Sequence, residues 1–370
     1  MDRASNNNAQ AETLLKRAQE TSAKIKEIKE QIGTVFFGQE DVLDLTLACM
    51  VAKGHLLLEG VPGTAKTTLV KAISQAMGFD WERIQFTPDT FPSDVIGKQV
   101  YNPKTGEVDF EPGPIFTQFV LADEINRAPP KTQSALLEAM EERQVTVGTE
   151  SKKLPRPFFV MGTQNPVEQE GTYPLPEAQL DRFLIKLTID YPDSDTEERI
   201  MVEKTAAAEN WEDAYEQLIN GEIKDNDAKE SRDLAPVIQP NELQAMQTLA
   251  PAVAVPGHIV NLIKNIVRDA RPNTEGSSDA INEYVKVGPG PRAHMAFMKV
   301  AKAKALMDGR IAVNEDDIKT VLKPVIKHRI AFDYKAQIAK EGDGNTPEEL
   351  IDNLFKQAKA KQKHYKPPQP

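Results

Sequence analysis

Residues 56–77 constrain this chain more than any other stretch. Leu56-Leu57-Leu58-Glu59 reads as a strand, runs into Gly60-Val61-Pro62-Gly63-Thr64-Ala65-Lys66-Thr67-Thr68, and continues as a helical pattern to Met77. A strand that turns through glycines straight into a helix offers a ring of backbone N–H groups where the helix dipole favours anions. Such a loop cradles phosphates, with Lys66 reaching the β- and γ-phosphates and the Thr67 hydroxyl suited to Mg2+. The strict pattern has glycine before the lysine. Here Ala65 replaces it, the smallest possible change, and is expected to keep helical geometry. The competing reading is an ordinary Gly-Pro turn ahead of a capped helix.

The surroundings favour the phosphate loop. Short apolar runs at 55–58, 83–86, 119–122, 158–162 and 183–189 alternate with helical stretches such as 66–77 and 131–142. Continuous apolar strands separated by helices predict an α/β fold, a parallel sheet covered on both faces. Ligands of such sheets bind beyond the carboxyl ends of the strands. The 119–122 run stops on Asp123 and Glu124, which places two carboxylates on that edge beside the loop. Asp123 is then suited to Mg2+ through its water shell, and Glu124 to polarising an attacking water. Two hairpins interrupt the α/β body: one over 100–110 around Asn102-Pro103-Lys104-Thr105-Gly106, the other with strands 145–147 and 153–154 joined across Gly148-Thr149-Glu150.

Elsewhere the pattern is helical. Residues 1–10 are Asn-rich and expected to be loose. Leu14, Ala18, Thr21, Ile25, Ile28 and Ile32 then form one helical stripe, read as a helix lying on its own domain. After Tyr191-Pro192 strand signals end, and helices are predicted at 194–208, 240–250, 256–270, 291–307 and 314–322. The expected layout is an N-terminal helical segment (1–34), an α/β nucleotide domain (35–191), a small all-α domain (192–355) and a basic, Pro-rich tail (356–370). A polar, acidic linker or insertion interrupts the helical domain at 209–235. The 370 residues carry a formal charge of −11, which argues against a protein that coats nucleic acid. One cysteine, Cys49, rules out an intramolecular disulfide or thiolate metal cluster. No apolar run reaches the ~18–20 residues of a membrane span. These features predict a soluble, cytoplasmic protein without membrane insertion. Five histidines lack any metal-binding spacing.

The ordered blocks Gly60–Thr67, Leu121-Ala122-Asp123-Glu124-Ile125-Asn126-Arg127-Ala128-Pro129-Pro130, Gly162-Thr163-Gln164-Asn165-Pro166 and the run from Glu170 to Phe183 resemble the AAA+ ATPases, and within them the MoxR family of the helix-2-insert branch. The similarity spans about Val35 to Arg329. It implies an ATP- and Mg2+-dependent ATPase with an α/β core and an all-α lid. Asn165 is then the sensor that orients water or detects the γ-phosphate. Arg182 is the finger reaching a neighbour's γ-phosphate. Arg292, in Gly288-Pro289-Gly290-Pro291-Arg292, is the lid arginine that contacts nucleotide, although the family's small residue and Ser before Pro-Arg are Pro289-Gly290 here. Val35, Phe36, Gly38 and Gln39 fall where the family packs adenine; a core strand-turn is the competing reading. Other readings of single residues are a turn-forming Asn165 and a local Arg182–Asp181 ion pair. His328 and Arg329 are assigned to packing.

The same resemblance implies a homo-hexameric ring whose hairpin tips face the pore or a partner, acting on protein clients and on partners with von Willebrand factor A domains. The expected function is therefore ATP-driven remodelling. The alternatives are a nucleotide-gated assembly scaffold and, less favoured by charge, a nucleic-acid motor; a small-molecule kinase has little use for the finger, the lid and the hairpins.

Overall fold

A computed structural model describes residues 2–61, 63–104, 106–148, 150–165, 171–205 and 234–362. Pro62, the stretch 166–170, most of the expected 209–235 insertion and the end of the tail (363–370) lie outside the described residues.

Each of the five apolar runs becomes a strand: β1 (Leu56–Gly60), β2 (Trp81–Gln85), β5 (Phe119–Asp123), β8 (Phe159–Gln164) and β9 (Ile185–Ile189). They form one parallel sheet in the order β2-β5-β8-β1-β9. Alternation along the strands divides two apolar clusters. Leu56, Leu58, Phe119, Leu121, Phe159 and Met161 face one side; Leu57, Val120, Ala122 and Val160 face the other. The helix Lys66–Ala76 buries Leu69, Val70 and Ile73 against the first face. The helix Pro130–Glu142 buries Leu136, Leu137 and Met140 against the second. Both faces are thus covered, as continuous apolar strands require.

The hairpins are β3–β4 (Gly97–Tyr101 with Val108–Pro112) and β6–β7 (Gln144–Val147 with Glu150–Lys153). The second is tighter than expected. Val147 pairs with Glu150, so the loop is two residues long and Glu150 already belongs to the returning strand. Gly148, at φ +63°, supplies the positive φ that such loops need.

Beyond residue 234, the helices Pro240–Leu249, Gly257–Asp269, Pro291–Met307 and Glu315–Ile326 stand where the periodicity puts them. Their apolar faces, including Leu262, Ile266, Phe297, Val300 and Val321, share one cluster with the first face of the sheet. Three features correct the expectations. A two-stranded ribbon, β10 (Val285–Val287) with β11 (Ala331–Phe332), interrupts the helices. The N-terminal helix spans Asp2–Ile32, including the Asn-rich start expected to be loose; it buries Ala18, Thr21, Ile25, Ile28 and Ile32 and packs against both Lys66–Ala76 and Pro291–Met307. The first half of the expected tail is the end of a helix, Pro347–Gln362. Two of its lysines have partners: Lys361 donates to Asp269 at 2.7 Å and Lys359 pairs with Glu315 at 2.6 Å. No helix among the described residues is long and apolar enough to cross a membrane.

Candidate nucleotide site

The phosphate loop leaves the carboxyl end of β1. Gly63 adopts φ +84° with open space on its Cβ side, and Thr64 Oγ1 ties the turn by donating to Val61 O at 2.9 Å. Ala65 departs from expectation. It caps the helix at φ +57°, ψ +24°, in the left-handed region rather than in helical geometry, which is why the strict pattern has glycine there. Lys66 Nζ folds back on Gly60 O at 2.6 Å. Burial pushes its pKa down, while Asp123 and Glu124 pull it back up. Thr67 is exposed at the first turn and Thr68 is half-buried behind it.

Asp123 ends β5 and Glu124 follows it at φ +58°, another non-glycine residue in a costly conformation. Thr163, fully buried on β8, fixes both: its hydroxyl donates to Asp123 Oδ1 at 2.5 Å and accepts the Glu124 backbone N–H at 2.9 Å. Arg83 on β2 donates to Asp123 Oδ2 from Nη2 at 2.7 Å and to Gln85 Oε1 at 2.6 Å. The Glu124 carboxylate takes Gln85 Nε2 at 2.8 Å and Arg127 Nη1 at 2.9 Å. Asn165 follows the last residue of β8 and is 6% exposed at the same edge. Lys66, Thr67, Asp123, Glu124 and Asn165 therefore gather along the carboxyl ends of neighbouring strands.

Of the four residues expected around adenine, Gln39 and Gly38 reach this edge. Gln39 Nε2 donates to Asp190 O, just past β9, at 2.8 Å, while its Oε1 is buried without a partner among the described residues. Gly38 sits against Thr196. Phe36 is buried and Val35 packs against the same core cluster, so both have structural work in the core.

Arg182 and Arg292 do not join this group. Arg182 lies three residues before β9 begins, and Ile185 pairs with Leu56 at the start of β1. The loop starts four residues later, about 13 Å away at 3.3 Å per residue. At this amino edge Arg182 Nη2 meets Glu141 Oε2 at 3.2 Å and Arg292 Nη2 meets Glu141 Oε1 at 2.9 Å. The competing Arg182–Asp181 pair does not form: Asp181 Oδ1 receives Arg329 Nε at 2.7 Å, and Asp181 Oδ2 lies 3.9 Å from Arg292 Nε. Arg329 also donates to the carbonyls of Phe183, Leu184 and Val325, and His328 Nε2 lies 3.2 Å from Phe183 O. The two residues fasten the lid to the approach of β9. Lys53, Arg143 and Lys299 join the arginines around a cleft of about 290 Å³.

A model of the ATPase family associated with various cellular activities (AAA) matches residues 55–185, and a model of the AAA lid domain matches residues 278–353. Chaperone MoxR1 of Mycobacterium tuberculosis is 36% identical over 325 residues, covering 88% of this chain and 79% of its own length. YeaC, an uncharacterised protein of Bacillus subtilis, is 43% identical over 310 residues, covering 83% and 87%. The chain is a MoxR-family AAA ATPase. A crystal structure of a candidate ATPase from Cytophaga hutchinsonii superposes with a TM-score of 0.79 at 35% identity, covering 94% of this chain and 98% of that one. As a MoxR-family ATPase the chain binds nucleotide and hydrolyses ATP.

The sequence reading missed Arg83, Gln85 and Thr163 around the carboxylates, and Glu141 between the arginines. Arg83 and Gln85 gave little signal: both lie on one face of β2, an exposed edge strand on which polar side chains are ordinary. Glu141 had none, since helix ends are commonly acidic or basic for solvent reasons alone.

Proposed function

We propose that this MoxR-family ATPase works as a closed ring, six protomers by family resemblance, in which each seam completes one ATP site. Lys66 and the loop N–H groups bind the phosphates. Gln39 Oε1, buried and without a partner among the described residues, is an acceptor for the adenine amine. The Thr67 hydroxyl and Asp123 would hold Mg2+ together with phosphate oxygens, since Mg2+ takes one or two carboxylates plus phosphates. When bound, Mg2+ neutralises charge on the β- and γ-phosphates. Glu124, held by Gln85 and Arg127, orients the attacking water and Asn165 supports it.

One observation carries the ring. Arg182 and Arg292 stand paired on Glu141 at the edge opposite their own phosphate loop, so the triphosphate within their reach belongs to a neighbour. Both arginines then act in trans, and Arg292 reports on the neighbour's nucleotide rather than on its own. Head-to-tail donation of this sort builds a ring when the rotation between protomers closes. The work done with ATP is remodelling of protein clients, including partners with von Willebrand factor A domains, and chaperone is the description that the M. tuberculosis relative carries.

Mixing two dead variants tests the seam. Arg182→Ala keeps an intact phosphate site, and Glu124→Gln keeps intact arginines. Each alone is expected to lose turnover, and mixed rings to regain it at seams that join one good half from each. No recovery in rings shown by mass to be mixed rejects donation in trans.

A further inference from the structure

We propose that Glu141 is the positioning residue for both arginines, holding Arg182 and Arg292 side by side and facing outward before a neighbour's triphosphate arrives. The inference rests on the reading of that pair as groups donated across a seam. Two guanidiniums repel unless an anion separates them. Glu141 gives one carboxylate oxygen to each, at 3.2 and 2.9 Å. The other acid of the cleft, Asp181, is committed to Arg329, whose side chain is only 3% exposed and which also donates to three carbonyls. Arg182 and Arg292 are 32% and 44% exposed, so they form the open end of the chain Arg182–Glu141–Arg292–Asp181–Arg329. Glu141 stands in the last turn of Pro130–Glu142, a helix held by Leu136, Leu137 and Met140 against the sheet. Its carboxylate is a fixed point on which the planar forks can be aimed. It also joins a side chain of the nucleotide domain to one in the first turn of the lid helix Pro291–Met307.

Charge alone and positioning predict opposite outcomes. The cleft already holds an excess of cations, so deleting an acid by Glu141→Gln strengthens its pull on a triphosphate and, on charge alone, leaves turnover equal or higher. Positioning predicts a kcat lowered about tenfold or more with KM within about twofold, since misaimed catalytic groups lose rate rather than affinity. The experiment measures ATP turnover and ring mass for Glu141→Gln and Glu141→Asp, in the wild-type chain and in the Arg182→Ala, Arg292→Ala double variant. Support is a kcat loss in Glu141→Gln with the ring intact, substantial recovery in Glu141→Asp, and no further loss from Glu141→Gln where both arginines are gone. Unchanged or raised kcat overturns the proposal, as does an equal loss in the double-arginine background. Loss of the ring at wild-type melting temperature also overturns it, because Glu141 then serves assembly. Wild-type turnover in Arg182→Ala and Arg292→Ala removes instead the reading on which the proposal stands, so the two failures are distinguishable.

Discussion

Arg292, in the first turn of a lid helix, donates to Glu141 at 2.9 Å, in the last turn of a helix of the nucleotide domain. The lid arginine is thereby anchored at the amino edge of the sheet, opposite its own phosphate loop. A bidentate fork is what lysine lacks. Arg292→Lys keeps the charge and is expected to lower turnover about 10²-fold, in the range known for misplaced or absent transition-state cations, with ring mass unchanged. Turnover at the wild-type level in Arg292→Lys would show that charge suffices and geometry does not matter.

Thr163 uses one hydroxyl for two tasks, bonding Asp123 and receiving the N–H of the strained Glu124. Thr163→Val keeps the shape and leaves that N–H unpaired in a buried site. A loss of about 1–3 kcal/mol is expected, measured by urea unfolding, together with a fall in kcat because Glu124 is no longer held. Thr163→Ser keeps the hydroxyl and is expected to behave much as the wild type. Equal effects of Val and Ser would point to the methyl group instead.

Ala65 occupies a left-handed cap at φ +57°. For alanine this conformation costs about 1–2 kcal/mol relative to the right-handed one, partly offset by the lower entropy of its unfolded chain. Ala65→Gly is expected to stabilise the protein by up to about 1 kcal/mol and to retain ATP binding. Ala65→Val puts a β-branched residue into the same conformation and is expected to destabilise and to weaken nucleotide binding. Calorimetry with and without ATP separates the two effects, and a stabilised Val variant would contradict the loop geometry.

Two buried histidines give stability a pH dependence. His55, held between Met140 O and the Val160 N–H, is pushed down to about 3 from 6.5 by burial, with Arg143 adding to the effect. His328 is pushed well below 6.5 by burial, with Arg329 and Lys186 adding to it. Both stay neutral when folded, whereas the unfolded chain takes up protons below about 6.5. The unfolded state then binds more protons, so their contribution is complete above about pH 6.5 and is lost as pH falls, by about 1.4 kcal/mol per unit for each. Urea unfolding at about pH 7.5 and 5.5 is expected to show this loss, and His55→Gln to reduce the slope. A variant with the wild-type slope would remove His55 as a source.

The division between what was legible and what was not follows particular residues. Leu56–Glu59 and Phe119–Ala122 announced buried strands because a strand covered on both faces has to be apolar throughout. Glycines at 60 and 63, the lysine after them and the acids closing a strand announced a phosphate edge because the chemistry demands them within a few residues of each other. The loose start expected for 1–10 failed because a helix with one buried stripe extends backward past its last buried residue. The solvated tail expected over 356–370 failed for 356–362, because Lys359 and Lys361, which face Glu315 and Asp269 on a helix, look like solvent lysines when read along the chain.

The sequence by itself determined the parallel sheet, the phosphate loop and the acids beside it. These depend on neighbours in the chain and on the period of two or 3.6 residues that burial imposes. Tertiary structure alone decided that Ala65 is left-handed, that Arg83 and Thr163 flank Asp123, and that Arg182 and Arg292 meet on Glu141 away from their own loop. The last two facts join residues 40 to 151 positions apart, and no local periodicity encodes which side chains the folding of a sheet and a lid bring face to face.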